Sequence, residues 1–397
     1  MHHSSNAAGL APRAARLDER IAARLAAVDD EGLRRTLKAP TGIDLSSNDY
    51  LGLSCDPRVI ERLIAGVRTH GAGSTGSRLL RGEREATARL EARFATFKGT
   101  ERALYFSSGY LANLAVVATF AEPGDLIVSD ALNHASLIDG IRLARAERVL
   151  LPHADAGALA RVLTGHRGNG QVFVVTESLF SMDGDEAPLA DYAEVCRRHG
   201  ATLIVDEAHA VGVYGRRGSG LIEACGVDDG VWLSVNTAGK ALGVSGAFIA
   251  GSAAAIDYLV QRARPMLFST AAPPALADAI EASLDIVEQE PELRALVLAR
   301  AAFLRARLAG LGVPVSAGRS QILPVMVGDN RRAVAMAEDL QAHGFDVRAV
   351  RPPTVPEGTA RLRVSVNAGL SEAVLEACAA AMATAWERSA AACTASS

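Results

Sequence analysis

Between Arg102 and about Ala250, seven short β-rich runs, RALYF, DLIVSD, RVLLPH, QVFVVTES, ATLIVDEA, VWLSVN and GAFIAG, alternate with helical stretches. A helix after each strand returns the chain to the same edge of a sheet, so the alternation predicts parallel strands covered by helices on both faces. Unbroken apolar runs such as Leu203-Ile204-Val205 suit strands buried on both sides. The expected fold class is α/β, with a large domain built on a mainly parallel seven-stranded sheet between helices.

Open sheets of this kind bind ligands beyond the carboxyl ends of their strands, so the first polar residues after each run are where chemistry is expected. Asp206 ends the run in TLIVDEAH. Lys240 follows one strand later in SVNTAGKALG, framed by Gly239 and Gly243. A carboxylate that keeps a ring nitrogen protonated, with an amine able to form a Schiff base, is what a pyridine aldehyde cofactor requires. Taken singly, such a lysine reads as a solvated loop residue and such an aspartate as a helix N-cap. The segment after Asp206, EAHAVGVYGRRGSG, is too rich in glycine for a helix, and it puts His209 within reach of the same ligand. A buried structural histidine is the competing reading of His209.

A phosphate would need its own cradle. In RALYFSSGYLANLAVV a strand ends at Ser107-Ser108-Gly109 and a helix begins at about Tyr110, so backbone N–H groups and a helix dipole converge on one spot. Ser108, Gly109 and Tyr110 are the phosphate candidates, joined by Thr237 just before the lysine loop. His134, in DALNHASL, follows another strand; its imidazole is placed to stack on a pyridine face, with a capping or core role as the alternative. TESLFSMDGD offers Glu177 and Ser181 at a further strand end, with Gly184 for a tight turn. The run GAGSTGSRLLRGE, Gly71 to Glu83, lacks both the Walker lysine and the dinucleotide-binding spacing, which disfavours ATP and NAD. Near the other terminus RPPTVPEGTARLRV carries Arg351, Thr354, Arg361 and Arg363, and an arginine fork suits the carboxylate of an amino acid. One or two of these arginines read equally well as solvent-facing strand residues.

Composition narrows the partners. The net charge of -4 is spread without a basic block, which disfavours nucleic acid and anionic membrane. Five scattered cysteines, Cys55, Cys196, Cys225, Cys378 and Cys393, form no C-x-x-C pair, which argues against a disulfide framework or a metal site and for a reduced, cytoplasmic setting. No stretch is apolar enough to span a membrane. Ala11 to Val28 imitates a transit peptide, but Asp18, Glu19, Asp29 and Asp30 make it a surface helix.

After Pro273-Pro274 a long helical stretch runs to Leu311, broken near Pro291. ILPVMVGD, a helix through AVAMAEDLQAHG, the strands FDVRAV and ARLRVSVN, and a closing helix from Ser371 complete the chain. The expected division is an N-terminal helical segment 1–45, a large domain 46–285 and a small C-terminal α+β domain 286–397.

Together, from SSNDYLGLS to ARLRVSV, these strings resemble the α-oxoamine synthases, fold-type I pyridoxal-phosphate transferases that join an amino acid to an acyl thioester with loss of CO2. VGDNRRAVAMAEDL and VRAVRPPTVPEGTARLR are most similar to members that use L-alanine and a pimeloyl thioester, carried by CoA or acyl carrier protein. The resemblance implies pyridoxal 5'-phosphate as cofactor, Lys240 as its Schiff-base lysine, Asp206 as the partner of the ring nitrogen, His209 as a contact of the ring hydroxyl and His134 as the stacking base. It also implies Ser181 and Thr237 as cofactor ligands, with Ser108, Gly109 and Tyr110 around the phosphate. By the same resemblance Asn48 and Arg363 would hold the substrate carboxylate, Thr354 would touch substrate, and Arg34 in GLRRTL would read the acyl group. The family is a homodimer with active sites at the subunit interface, which brings the loop through Ser77 to the partner's cofactor. Ala238 departs from the family, where an aromatic residue or leucine is common, and implies a wider pocket near the phosphate. Condensation of glycine with a short acyl-CoA is the sister activity. A non-catalytic binding protein on the same fold is the reading from another class, and the presence of every reactive residue argues against it.

Overall fold

A computed structural model describes residues 11–395, with side chains from 15 to 390; Cys393 lies outside the described side chains. The twelve strands are β1 (Ile43–Asp44), β2 (Arg102–Phe106), β3 (Leu126–Asp130), β4 (Glu147–Leu151), β5 (Val172–Glu177), β6 (Thr202–Asp206), β7 (Leu233–Thr237), β8 (Ala247–Gly251), β9 (Ile322–Gly328), β10 (Phe345–Asp346), β11 (Arg348–Val350) and β12 (Ala360–Ser365). The seven runs expected from the sequence form one sheet, in the order β2-β8-β7-β6-β5-β3-β4. Only β8 runs against its neighbours, so the carboxyl ends of β2, β3, β5, β6 and β7 share one edge.

On β2, β3, β5, β6 and β8 successive apolar residues enter different cores. On β6, Leu203 and Val205 belong to one apolar cluster and Ile204 to the other; on β8, Phe248 and Ala250 face opposite Ala247 and Ile249. This two-sided burial is why the runs are apolar throughout rather than alternating. Val205 and Phe248 are fully buried, and each such side chain contributes roughly 1.5–3 kcal/mol.

Ala11–Asp30 is the expected helix. The long stretch after Pro274 is two helices, Ala275–Gln289 and Pro291–Gly310, interrupted where Pro291 opens the second. Beyond them β11-β12-β9 form an antiparallel sheet. The run FDVRAV, expected as one strand, is split. Phe345–Asp346 pair in parallel with Ile43–Asp44, while Arg348–Val350 pair with β12, because the fully buried Val347 turns the chain between two different partners. The segment after β1 continues along the same region: Ser365 N–H donates to Leu45 O at 2.8 Å and Ala368 N–H to Tyr50 O at 2.8 Å. No helix among the described residues is long and apolar enough to cross a membrane.

Candidate active site

The shared strand edge gathers the polar residues. Ser108 follows β2, His134 follows β3, Ser181 follows β5, Asp206 ends β6 with His209 beyond it, and Lys240 follows β7. Asp206 and Lys240 therefore leave adjacent parallel strands.

Asp206 is buried and accepts two hydrogen bonds, from Ala208 N–H at 2.8 Å and from Asn113 Nδ2 at 2.6 Å. Asn113 projects from the helix Gly109–Phe120, and its Nδ2 also donates to Ser136 Oγ at 2.9 Å. Ser136 Oγ in turn lies 2.7 Å from His134 Nδ1. With Ser136 already accepting from Asn113, its own proton goes to Nδ1, which also accepts from Ser136 N–H at 3.2 Å. This order leaves His134 neutral with its proton on Nε2, in accord with a pKa lowered by burial. The imidazole thus caps the helix Ala135–Leu143 while its ring stands beside Tyr110, edge to face at 6.5 Å.

Lys240 Nζ lies 2.8 Å from His209 Nε2, and His209 Nδ1 lies 2.7 Å from Tyr50 Oη. Tyr50 donates to Asn48 Oδ1 at 3.1 Å, so the consistent arrangement has His209 neutral, donating from Nδ1 and accepting from the lysine at Nε2. Burial, followed by the charge of Lys240, holds the His209 pKa well below its usual value. The backbone of His209 is fixed from β9's approach, where Gln321 Nε2 donates to its carbonyl at 2.9 Å.

Lys240 is half-buried by surface area but ringed by protein at longer range. That burial lowers its pKa from 10.5 to about 8, against the opposing pull of the Asp206 and Glu177 carboxylates. Glu177, register partner of Asp206, is buried, and burial and the Asp206 charge push its carboxyl upward. Below about pH 8 Lys240 is an ammonium, and above it a nucleophilic amine. In cofactor-free protein, trapping of an aldehyde on Lys240 by borohydride is expected to rise with a midpoint near pH 8, the neutral fraction at pH 7 being roughly 300-fold that of an ordinary lysine. A midpoint near 10.5 would show an unperturbed lysine.

The lysine loop is held by backbone contact. Gly243 has φ +67°, and a Cβ there would fall 2.4 Å from Ser54 N, so the turn after Lys240 lies directly on Leu53 and Ser54. Ser108 caps the helix Gly109–Phe120, its Oγ accepting from Leu111 N–H at 3.3 Å. The Gly109 face turns toward Thr237, whose Oγ1 and Cβ lie 3.9 Å from where a Cβ would stand. Helix N–H groups without intrahelical partners, as an anion requires, thus lie beside Thr237, whose hydroxyl donates to Gly246 O and accepts from Gly239 N–H, each at 3.2 Å. Tyr110 is less enclosed; its hydroxyl bonds Asp139. The Ala238 side chain is fully buried in the apolar core and its N–H donates to Gly246 O at 2.9 Å.

The three arginines of the C-terminal run part company. Arg363 Nη2 donates to Asn48 Oδ1 at 3.0 Å and approaches Tyr50 Oη at 3.5 Å, which joins it to His209 and Lys240. Arg361 reaches Asp183, and Arg351 binds the carbonyls of Gly32 and Arg34. Arg34 pairs with Asp29 at 3.5 Å, Thr354 is exposed, and the Ser77 carbonyl closes the turn Arg78–Gly82; no hydrogen bond joins these three to the cluster. Tyr50 and Asn113 were not anticipated. Asn113 could have been found as the lone amide in an apolar helix, LANLAVV, whereas nothing but its place in SSNDYLGLS marks Tyr50. A cleft of about 730 Å³ opens at the opposite end of the sheet, among Gly99, Thr202, Asp228 and Trp232, and holds none of these residues.

Residues 40–382 match the family described as aminotransferase class I and II. An 8-amino-7-oxononanoate synthase from Anaeromyxobacter dehalogenans is 47% identical over 377 residues, covering 91% of this chain and 94% of the relative. Among solved structures, serine palmitoyltransferase from S. paucimobilis with PLP–myriocin bound superposes with a TM-score of 0.88 at 30% identity, covering 95% of this chain and 99% of that one. The 8-amino-7-oxononanoate synthase from Francisella tularensis gives a TM-score of 0.76 at 28% identity, covering 87% and 98%. The backbone is thus shared between enzymes of different name, while the 47% relative carries the synthase name. The chain belongs to the aminotransferase class I and II family and, within it, to the 8-amino-7-oxononanoate synthases.

Proposed function

We propose that this enzyme condenses L-alanine with a pimeloyl thioester, releasing CO2 and forming 8-amino-7-oxononanoate, with pyridoxal 5'-phosphate as cofactor. The observation that carries the reading is the unbroken polar path from Arg363 through Asn48, Tyr50 and His209 to Lys240. It sets a carboxylate-binding fork beside an amine of lowered pKa. The residues fit the cofactor: Asp206 is a buried carboxylate already oriented by two donors, Lys240 is an amine near neutrality, and the Ser108–Tyr110 turn offers helix N–H groups for a phosphate. When bound, the cofactor supplies a protonated ring that withdraws electrons from the amino-acid Cα.

The chain's own groups do the rest. Asp206 holds the ring nitrogen protonated, and Asn113 and Ala208 N–H keep that carboxylate in place. The neutral His134 ring covers one face and excludes water. Ser181, His209 and Thr237 orient the cofactor, and Ser108, Gly109 and Tyr110 hold its phosphate. Arg363 and Asn48 would hold the alanine carboxylate so that the Lys240 amine could take the Cα proton at Nζ. The active unit we infer is a cytoplasmic homodimer in which the loop through Ser77 reaches the partner's cofactor, Thr354 touches substrate and Arg34 reads the acyl group, and whose chain divides near residue 285.

The test is product identity. Holoenzyme is incubated with L-alanine, glycine or L-serine, each paired with pimeloyl-CoA, pimeloyl-acyl carrier protein, acetyl-CoA or palmitoyl-CoA, and products are weighed by mass spectrometry. Formation of 8-amino-7-oxononanoate from alanine and a pimeloyl thioester is expected; preference for glycine and acetyl-CoA would replace this reading with the sister activity. Arg363→Lys is expected to raise KM for L-alanine at least about tenfold with a smaller change in kcat, because a point charge cannot reproduce the planar fork. An unchanged KM would remove Arg363 from the carboxylate site.

A further inference from the structure

The hairpin after β5 is gripped from the three-stranded sheet. Leu179 bridges Glu186 in antiparallel fashion, Phe180 N–H donates to Asp185 O at 2.9 Å, and Gly184 N–H returns to Phe180 O at 2.9 Å. At its tip Gly184 has φ +67°, and a Cβ there would lie 2.4 Å from Ile322 O, so the turn rests directly on the backbone of β9. Ser320 Oγ donates to the Gly184 carbonyl at 2.5 Å.

Arg361 and Arg363, two positions apart on β12, project to the same face and reach the same hairpin. Arg363 Nε donates to Ser181 O at 2.6 Å and its Nη1 to Ser365 Oγ at 2.8 Å. Arg361 Nη1 binds the Asp183 carboxylate and Met182 O, the latter at 3.4 Å, while its Nε and Nη2 are taken by Thr359 O and Thr359 Oγ1 at 3.0 and 3.1 Å. The Arg361 side chain is 3% exposed and that of Asp183 33%. The partners of Arg361 all lie on the adjoining Thr359 or on the hairpin, away from the Asn48–Tyr50 pair. Arg363 differs: its Nε is braced on Ser181 O, and its Nη2 faces Asn48 and Tyr50. A planar guanidinium held at Nε is aimed by whatever sets the height of that carbonyl.

We propose that Arg361 is a positioning residue: by pinning Asp183 and the Met182 carbonyl it fixes the Ser181 carbonyl on which Arg363 is braced, and so aims Arg363 at the substrate carboxylate. This role rests on the reading of Arg363 as the carboxylate-binding group. It makes the Arg361–Asp183 pair a determinant of amino-acid binding although neither residue touches the amino acid.

The test uses holoenzyme carrying Asp183→Asn, Arg361→Gln, both together, and Arg363→Lys as reference. Asp183→Asn preserves shape at a partly exposed position and carries the test if the buried Arg361 variant fails to fold. Two readouts concern alanine: KM, and the dissociation constant from the visible spectrum of the bound cofactor on adding L-alanine. A third, hydrogen exchange of the Phe180 and Gly184 amides, is made on cofactor-free protein. Each single variant is expected to raise both alanine constants about tenfold with kcat little changed, to speed exchange at the two amides, and to combine non-additively in the double variant. Unchanged alanine constants in Asp183→Asn, where Arg363→Lys raises them, overturn the positioning role and leave the pair structural. Unchanged constants in both overturn the carboxylate reading, and the positioning role with it.

Discussion

Lys240→Ala is expected to lower turnover about 10⁴-fold or more, because the amine serves both as the covalent anchor and as the proton acceptor at Cα. Neither of the other two lysines is placed to substitute. The sequence has three lysines; Lys98 is buried on Glu207 and the Ser219 carbonyl, and Lys38 pairs with Glu338 at 3.6 Å on the surface. Borohydride treatment of holoenzyme followed by peptide mass spectrometry should therefore find the cofactor on a single peptide, the one containing Lys240, and nowhere in the variant. Retained turnover in the alanine variant, or labelling at Lys98, would show that the chemistry lies elsewhere.

Asp206→Asn should lower kcat by roughly 10³-fold and weaken cofactor binding, through the loss of the charge that holds a ring nitrogen protonated. Local geometry adds a second cost. Both carboxylate oxygens accept, from Ala208 N–H and Asn113 Nδ2, so an amide must turn its NH2 toward one of two donors. A buried donor left unpaired in this way costs about 1–3 kcal/mol. Removing the charge also acts on its neighbours, because the Asp206 carboxylate raises the pKa values of Lys240 and Glu177. The midpoint for aldehyde trapping on Lys240 should accordingly move below pH 8 in the variant. Thermal unfolding measured beside kcat and cofactor affinity separates the two contributions; a variant with normal kcat and affinity would exclude Asp206 from the cofactor site.

Much of the site was legible because it obeys one rule of parallel sheets. Ser108, His134, Ser181, Asp206, His209 and Lys240 each lie within a few residues of a strand's carboxyl end, and apolar runs mark those ends in a linear sequence. Arginines lack such a marker. Arg351, Arg361 and Arg363 stand in one short stretch with the same chemistry, yet they face the N-terminal segment, the Asp183 hairpin and the Asn48–Tyr50 pair respectively. Tyr50 was silent for a related reason: its partner His209 lies 159 positions away in sequence. Asn113 was overlooked beside the more conspicuous turn that opens its helix.

The sequence by itself determined the sheet, the residues at its strand ends and the placing of Asp206 and Lys240 at neighbouring strand ends, because burial on two faces and polar side chains at strand termini are local properties that leave a periodic trace. Only the tertiary structure decided where Arg351 and Arg361 bind, how FDVRAV divides between two partners, and that His134 and His209 are neutral. Those outcomes depend on hydrogen-bond partners and burial contributed by segments far apart in the chain, and neither composition nor spacing encodes them.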